Sequence, residues 1–354
     1  MKHKSRFIFV LGAHRSGTSL VANALHAMGV NLGSRFIAPN EDNPKGFFED
    51  EEIVQFNDRL LRSMNLSWDS FGFIWQEDFT ARRFEPYHRA AVALVLKRFA
   101  DSSVSSLKDP RFCILLPFWK RVICEALDAE VSYVLGIREP EQCVRSQKAR
   151  HIKDSDFHML GRRNVQTLML WWTYMCKVLS EVDPERLVIV DYTSLVDSPD
   201  VQFHRLATLL KIEHSQTDSF CRDQVEPLLN RSANQRKVER RNGALLWEYS
   251  DILYQRLLTM SRKDSIHPGD VTGVLENLDS GALQPLYLQE LQYMSGYAYR
   301  KSISLRHRLI RTIHELGTEQ EKRARLQTEY DLLVNSRGWR LLVFLRRCVP
   351  WPFR

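Results

Sequence analysis

Apolar positions in the first 195 residues fall into two alternating patterns. Short unbroken runs at Phe7-Ile8-Phe9-Val10-Leu11, Ser103 to Leu107, Val131 to Ile137 and Leu187 to Val190 read as buried strands. Each of the last three is preceded by a stretch with apolar steps of three and four: Tyr87 to Phe99, Ile114 to Leu127 and Val165 to Val182. Another, through Leu20, Ala24, Leu25 and Met28, follows the first strand and is stopped by Gly29. Strands alternating with helices of this length need crossover connections. The pattern predicts an α/β fold, an open parallel sheet flanked by helices.

From about 200 to 300 the spacing turns helical, clearest over Val201 to Leu210, Leu245 to Met260 and Leu283 to Tyr299. Asn230 to Asn242 is polar and basic, reading as a loop or an exposed helix end. Leu309, Ile313, Leu316, Leu326, Tyr330 and Leu333 then predict a helical C-terminal extension, amphipathic or a short coiled coil, with a polar gap near Gln320 to Arg323. The expected division is residues 1–235, a helical completion over 236–300, and a basic tail over 301–354.

Composition removes several classes of function. The 354 residues are 44% hydrophobic and 26% charged, which fits a folded globular chain and excludes disorder as the main state. No apolar run reaches the roughly 18 residues of a membrane span, and only five apolar residues follow the charged start, so neither a transmembrane helix nor a signal peptide is expected. Six cysteines are scattered without a C-x-x-C pair, which predicts a reducing, cytoplasmic setting and no zinc knuckle. The net charge of +7 is uneven. From Arg300 onward there are 13 basic against 5 acidic residues, leaving the first 299 at −1. The basic excess is confined to the tail, so the basic isoelectric point is no sign of a nucleic-acid footprint on the main domain, and no nucleic-acid partner is expected.

The most informative segment is Gly12-Ala13-His14-Arg15-Ser16-Gly17-Thr18-Ser19, directly after the first strand and opening the first helix. Backbone N–H groups of such a loop converge on one point, the glycines allow close approach, and the hydroxyls of Ser16, Thr18 and Ser19 add donors, so the expected occupant is a phosphate. An isolated G-x-x-x-x-G is as readily a capped turn; the flanking strand and helix favour the anion site. A nucleoside triphosphatase would carry lysine where Thr18 stands. The cation here is Arg15, three positions earlier, which disfavours an ATPase or kinase.

This loop resembles the 5′-phosphosulfate loop of sulfotransferases that use 3′-phosphoadenosine 5′-phosphosulfate (PAPS); its R-S-G-T form is similar to carbohydrate and tyrosine sulfotransferases, and the chain as a whole resembles the bacterial, carbohydrate-sulfotransferase-like branch. The family's second signature is an arginine ending a strand, followed eight residues later by a serine at a helix start, both holding the 3′-phosphate. Val134-Leu135-Gly136-Ile137-Arg138 and Ser146 reproduce it. Alone, Arg138 would read as a strand-end ion pair and Ser146 as a helix cap. The resemblance covers about residues 5 to 235. It implies Gly12, His14, Arg15, Ser16, Gly17, Thr18, Ser19, Arg138 and Ser146 as PAPS-binding residues, with no metal.

Sulfonate transfer to a hydroxyl needs a base, cations on the transferred group, and alignment. Arg15 stays protonated and stabilises charge without donating a proton. Asn43-Pro44-Lys45-Gly46-Phe47-Phe48-Glu49-Asp50 resembles the family's N-x-x-G-[FYW]-x-E segment and nominates Glu49 as base, its pKa raised by the aromatic neighbours. A solvated acidic loop, His14 or Asp50 are the alternatives. Ser106-Leu107-Lys108-Asp109-Pro110-Arg111 resembles the family's K-D-P-R turn. Its cation pair would contact acceptor or sulfonate, and Lys108 would donate a proton to the leaving group; a solvated Asp-Pro turn is the competing reading. Trp171 and Trp172 read as core rather than acceptor platform. Asp154, Asp156 and His158 fit no standard metal spacing.

Cytosolic members close over the 3′-phosphate with R-K-G-x-x-G-x-W-K, whereas this chain has Arg236-Lys237-Val238-Glu239-Arg240-Arg241-Asn242-Gly243, so that clamp is unassigned. The tail, Asn335-Ser336-Arg337-Gly338-Trp339-Arg340 and onward to Pro352, resembles the S-x-x-W-R-[LI] ends of bacterial glycan-modifying transferases. The implied acceptor is a saccharide or lipid-linked glycan. The tail would touch the inner membrane surface, a second chain or the body of the protein. A phosphoryl-transfer enzyme and a non-catalytic nucleotide- or glycan-binding module at a membrane complex remain as alternatives.

Overall fold

The structure, a computed structural model, describes residues 4–39, 43, 45–70, 79–153, 160–213, 220, 221, 225, 238–240, 242–276, 278–315 and 319–341. The chain forms two compact units, Met1–Arg59 with Phe71–Leu278, and Leu60–Ser70 with Asp279–Arg354.

The first unit is built on four parallel strands, β1 (Arg6–Leu11), β2 (Val104–Lys108), β3 (Glu130–Ile137) and β4 (Leu187–Asp191), in the order β2-β1-β3-β4. Each coincides with an apolar run in the sequence to within about one residue. β1 is central, and Ile8, Phe9, Val10 and Leu11 are fully buried because helices cover both faces. Side chains alternate across the sheet. Ile8 and Val10 share a core with Val134, Val188 and Val190, covered by α1 (Thr18–Ala27) through Val21 and Leu25 and by α8 (Pro199–Leu210) through Phe203 and Leu206. Phe9, on the other face, meets Phe112 edge-on at 5.3 Å and stacks on Tyr133 at 6.1 Å.

The remaining helices of this unit are α2 (Glu51–Ser63, whose last four residues belong to the second unit), α3 (Glu85–Phe99), α4 (Phe112–Lys120), α5 (Pro140–Lys153), α6 (Asn164–Glu181), α7 (Tyr192–Asp197), α9 (Ala244–Met260) and α10 (Pro268–Leu275). α4 is shorter than its apolar pattern predicts because it widens into a π turn over Arg121–Ala126. α2 lies where the acidic cluster reads as a loop. Asp50 caps it, its Oδ1 accepting from the backbone N–H groups of Glu52 and Ile53 at 3.1 and 3.3 Å, and Glu51 and Glu52 in the first turn suit the helix dipole. Trp171 and Trp172 are core residues, each 1% exposed.

The second unit holds α11 (Gln284–Glu315) and α12 (Glu319–Val334). Within it Arg337 donates to Asp69 at 3.3 Å and stands 5.1 Å from the Trp68 ring, so the start of the tail motif is held within this unit. Leu326, Tyr330 and Leu332 are exposed on α12. Residues 342–354, with the remainder of the tail motif, lie outside the described residues, as do Asp154, Asp156 and His158. Among the described residues no helix is long and apolar enough to cross a membrane.

Phe9→Ala, which empties the centre of the aromatic face, is expected to lower the unfolding free energy by about 3–5 kcal/mol. Urea denaturation checks this, and a loss under about 1 kcal/mol would show that the sheet does not depend on that contact.

Candidate active site

The loop between β1 and α1 turns on backbone that side chains resist. Gly12 has φ +149, and a Cβ there would meet the Gly136 carbonyl and Ser16 Oγ, each at 2.6 Å. Arg15, with φ 72, is left-handed despite its side chain. Ser16 folds the loop inward, its N–H and Oγ both donating to the Ala13 carbonyl at 3.2 and 2.7 Å. Gly17, also left-handed, is the N-cap of α1 and makes no side-chain cap bond, so the first turn keeps backbone donors available to an anion. Cys113, at the start of α4, clamps the loop: its Sγ accepts from the Gly12 N–H at 3.1 Å, and its thiol reaches the Gly12 carbonyl at 3.4 Å. Burial pushes the Cys113 pKa up to about 12, which keeps it a thiol able to make both contacts. His14 packs its ring 5.8 Å from Tyr174, and burial followed by the nearby Arg111, Arg150, Lys108 and Arg15 cations lowers its pKa well below the usual range. These surroundings favour the neutral imidazole.

A second cluster forms where β2 ends. Lys108, 5% exposed, donates to Glu49 Oε1 at 2.5 Å, to the Phe47 carbonyl at 2.9 Å and to Ser19 Oγ in the first turn of α1 at 3.2 Å. The ammonium thus joins the acidic segment to the phosphate loop. Phe48, with φ 54, is another side-chain-bearing residue in the left-handed region, and it directly precedes Glu49. The Phe48 ring lies 6.0 Å from Phe36 and 6.5 Å from His26. Asn43 closes the turn by donating to the Gly46 carbonyl at 2.6 Å and reaches Ser19 Oγ at 3.4 Å. Burial raises the Glu49 pKa above its ordinary 4.5, and Lys108 offsets this in part.

The other candidates in these two segments have structural partners. Asp50 is paired with Arg98 at 2.5 Å besides capping α2, which accounts for its carboxylate without a proton-transfer role. Arg111 donates to Asp109 at 2.9 Å and to Asp58 at 3.0 Å, so the cation pair expected of the K-D-P-R turn splits. Lys108 enters the cluster, while Arg111 is spent on carboxylates that raise its pKa. Asp109 is fully buried and also accepts from Asn57, whose own Oδ1 takes the Trp119 indole N–H.

Across the loop, Arg138 directly follows β3 and Ser146 sits in α5. Arg138 Nη1 donates to the Arg15 carbonyl at 3.1 Å and Nε donates to Gln142 at 3.1 Å. Arg15 Nε in turn donates to Ser146 Oγ at 2.9 Å, which makes the two separated motifs one network. Ser146 lies within the helix rather than at its start, because α5 begins six residues earlier at Pro140, a residue suited to the first helical position. The Arg138 guanidinium lies 4.0 Å from the Tyr192 ring centroid. Val238 N–H and the Arg240 guanidinium both bind Glu141 in the first turn of α5, at 3.2 and 2.6 Å. Arg236 and Lys237 lie outside the described residues.

The sulfotransferase family model matches residues 7–216, more than half of the chain and including every residue of this network from Gly12 to Tyr192. The chain belongs to the sulfotransferase family. Solved structures similar to this sulfotransferase include the sulfotransferase domain of the Synechococcus PCC 7002 olefin synthase, 15% identical over 78% of this chain and 96% of that one, with a TM-score of 0.38. Another is the sulfotransferase domain from the curacin biosynthetic pathway, at 16% identity, 77% and 97% coverage, and a TM-score of 0.35. No curated protein matches the chain. Family membership makes sulfonate transfer the reaction.

In this sulfotransferase the sequence motifs account for the loop, Glu49, Lys108, Arg138 and Ser146 but not for Cys113 or Tyr192. Cys113 follows the K-D-P-R turn by two residues, and its signal was a lone thiol in an apolar helix. Tyr192 opens α7 directly after β4. The end of a strand in a parallel sheet is where such sites form, and that position was its available signal. Among the described residues no group of His, Cys, Asp and Glu is arranged to hold a metal ion.

The raised Glu49 pKa has a consequence for stability. The folded state keeps the Glu49 proton to a higher pH than the unfolded chain, so raising the pH above 4.5 favours unfolding through this group. Wild type is expected to lose stability relative to Glu49→Gln as the pH rises above 4.5. Chemical denaturation of both proteins across that range tests it, and a constant difference would show the carboxyl to be unperturbed.

Proposed function

We propose that this enzyme moves a sulfonate group from PAPS to a hydroxyl of a saccharide or lipid-linked glycan. The observation that carries the donor assignment is the joining of the two anion motifs through Arg15, whose carbonyl accepts from Arg138 and whose Nε donates to Ser146. A donor with anionic groups on both the 5′ and the 3′ positions of one ribose matches such a pair of sites. The residues fit that molecule chemically: glycines where a Cβ would crowd the loop, the first turn of α1 without a side-chain cap, and an arginine fork for a phosphate. The acceptor class rests on the R-S-G-T loop and the S-x-x-W-R tail.

PAPS, when bound, supplies an activated sulfonate. Gly12, His14, Arg15, Ser16, Gly17, Thr18 and Ser19 would hold its 5′ end, chiefly through the uncapped first turn of α1, and Arg138 with Ser146 would hold the 3′-phosphate. Glu49 takes the proton of the acceptor hydroxyl, a task that a raised pKa serves by bringing the base closer to the working pH. Lys108 keeps Glu49 ionisable at short range and sits one hydrogen bond from Ser19, where it can deliver charge, or a proton, toward the leaving phosphate. Arg15 contributes charge alone. In this reading residues 1–235 carry the chemistry, residues 236–300 are the helical completion, with 236–278 in the first unit and 279–300 opening the second, and the basic tail over 301–354 holds the enzyme at the cytoplasmic membrane face or to a second chain.

Calorimetric titration with 3′-phosphoadenosine 5′-phosphate tests the donor assignment, with ATP as control. Micromolar binding that Arg138→Ala weakens, with little ATP binding, is the expected result. Tight magnesium-dependent ATP binding instead would move the protein to phosphoryl transfer. For the base, Glu49→Gln is expected to lower turnover by about 10²-fold or more and to remove an acid limb of kcat/KM lying above pH 4.5. Near wild-type turnover in that variant would remove Glu49 from the mechanism.

A further inference from the structure

The corner between β4 and α7 brings an aromatic ring to the place where the two anion motifs meet. Tyr192, 8% exposed, carries the Arg138 guanidinium over its ring at 4.0 Å. Gly17 faces the same ring. A Cβ at that position would run into Tyr192 Cδ2 and lie 3.2 and 3.3 Å from Cε2 and Cγ, so the N-cap of α1 is shaped to admit the aromatic side chain. The residue before Tyr192 is anchored. Asp191, the last residue of β4, accepts from the Ser194 N–H at 3.0 Å through Oδ2 and from the Tyr254 hydroxyl of α9 at 3.0 Å through Oδ1. Asp191 and Tyr254 are both buried, 4% and 7% exposed, so this anchor is shielded from water.

A guanidinium holds its N–H bonds in its own plane, and a ring 4.0 Å from its centre limits the planes in which Arg138 can present donors. Arg138 Nε is directed at Gln142 and Nη1 at the Arg15 carbonyl, which fixes the rotation within that plane. We propose that Tyr192 is the positioning residue that sets Arg138 for a 3′-phosphate, and that Asp191 and Tyr254 hold Tyr192 in this pose. Discrimination in favour of a nucleotide bearing a 3′-phosphate then depends on a ring outside both phosphate motifs. It also gives α9, beyond the matched family segment, a role at the site. This inference rests on the donor assignment made above.

The test is the ratio of affinities for 3′-phosphoadenosine 5′-phosphate and AMP, measured by calorimetry on the full-length protein and its variants. Tyr192→Phe, which keeps the ring, is expected to hold both affinities within about twofold. Tyr192→Leu is expected to weaken bisphosphate binding about tenfold, within the range of a desolvated cation–π contact, while changing AMP binding less than about twofold. Tyr254→Phe keeps its ring packing and loses the bond to Asp191; a shift of the ratio in the same direction by about threefold is expected. Should Tyr192→Leu fail to fold, Tyr254→Phe decides. An unchanged ratio, or an equal loss for both nucleotides, overturns the role of Tyr192, because a ring that merely supports the loop would affect both ligands alike. A wild-type protein that binds AMP as well as the bisphosphate would overturn the donor assignment, and this inference with it.

Discussion

Backbone pairing between β1 and its parallel neighbours governs the geometry of the whole site, because each strand delivers a candidate residue at or just beyond its carboxyl end. Val10 is level with Lys108 on one side, and Leu11 with Leu135 on the other. Ile137 is level with Asp191. Gly12, Lys108, Arg138 and Tyr192 therefore emerge along one edge of the sheet, brought together by main-chain hydrogen bonds formed well inside the core. A shift of register by one residue would turn each of these side chains to the opposite face. Crossover helices make that shift unfavourable, since the same register buries Ile8 and Val10 under α1 and α8 and Phe9 under α4.

Low local polarity then gives these residues their chemistry. Glu49 and Lys108 form a pair with little access to water, a costly arrangement unless each charge keeps further hydrogen bonds. Lys108 has two, to Ser19 and the Phe47 carbonyl. Asp109 and Arg111, next along the chain, are neutralised by one another and by Asp58 and Asn57 of α2. The K-D-P-R turn thus separates its charges, one cation facing the phosphate loop and the other bracing the turn from behind. Two of the side-chain-bearing residues in left-handed backbone, Arg15 and Phe48, lie in the loop and directly before Glu49.

The sheet was legible because parallel strands buried on both faces are written as continuous apolar runs, and all four appear where the sequence places them. The loop and Arg138 were legible for a related reason, being tied to strand ends. α2 was not, since Glu51 and Glu52 look like solvated loop residues until Asp50 is recognised as a cap with Ile53, Phe56 and Asn57 buried behind it. Ser146 was found by its spacing from Arg138 but misplaced within its helix, because Pro140 starts α5 a turn and a half earlier than the motif suggests. Cys113 and Tyr192 act on the loop through tertiary contacts over about 100 and 175 residues of sequence, and no local pattern encodes such contacts.

The contact between Gly17 and Tyr192 also limits how this site can diversify. A side chain at 17 requires a smaller one at 192, and a smaller one at 192 removes the surface on which Arg138 lies. Neither position can drift by itself without passing through a less functional intermediate. The two are expected to be inherited as a unit, and a relative that had exchanged one would have exchanged both, along with the seat of its guanidinium.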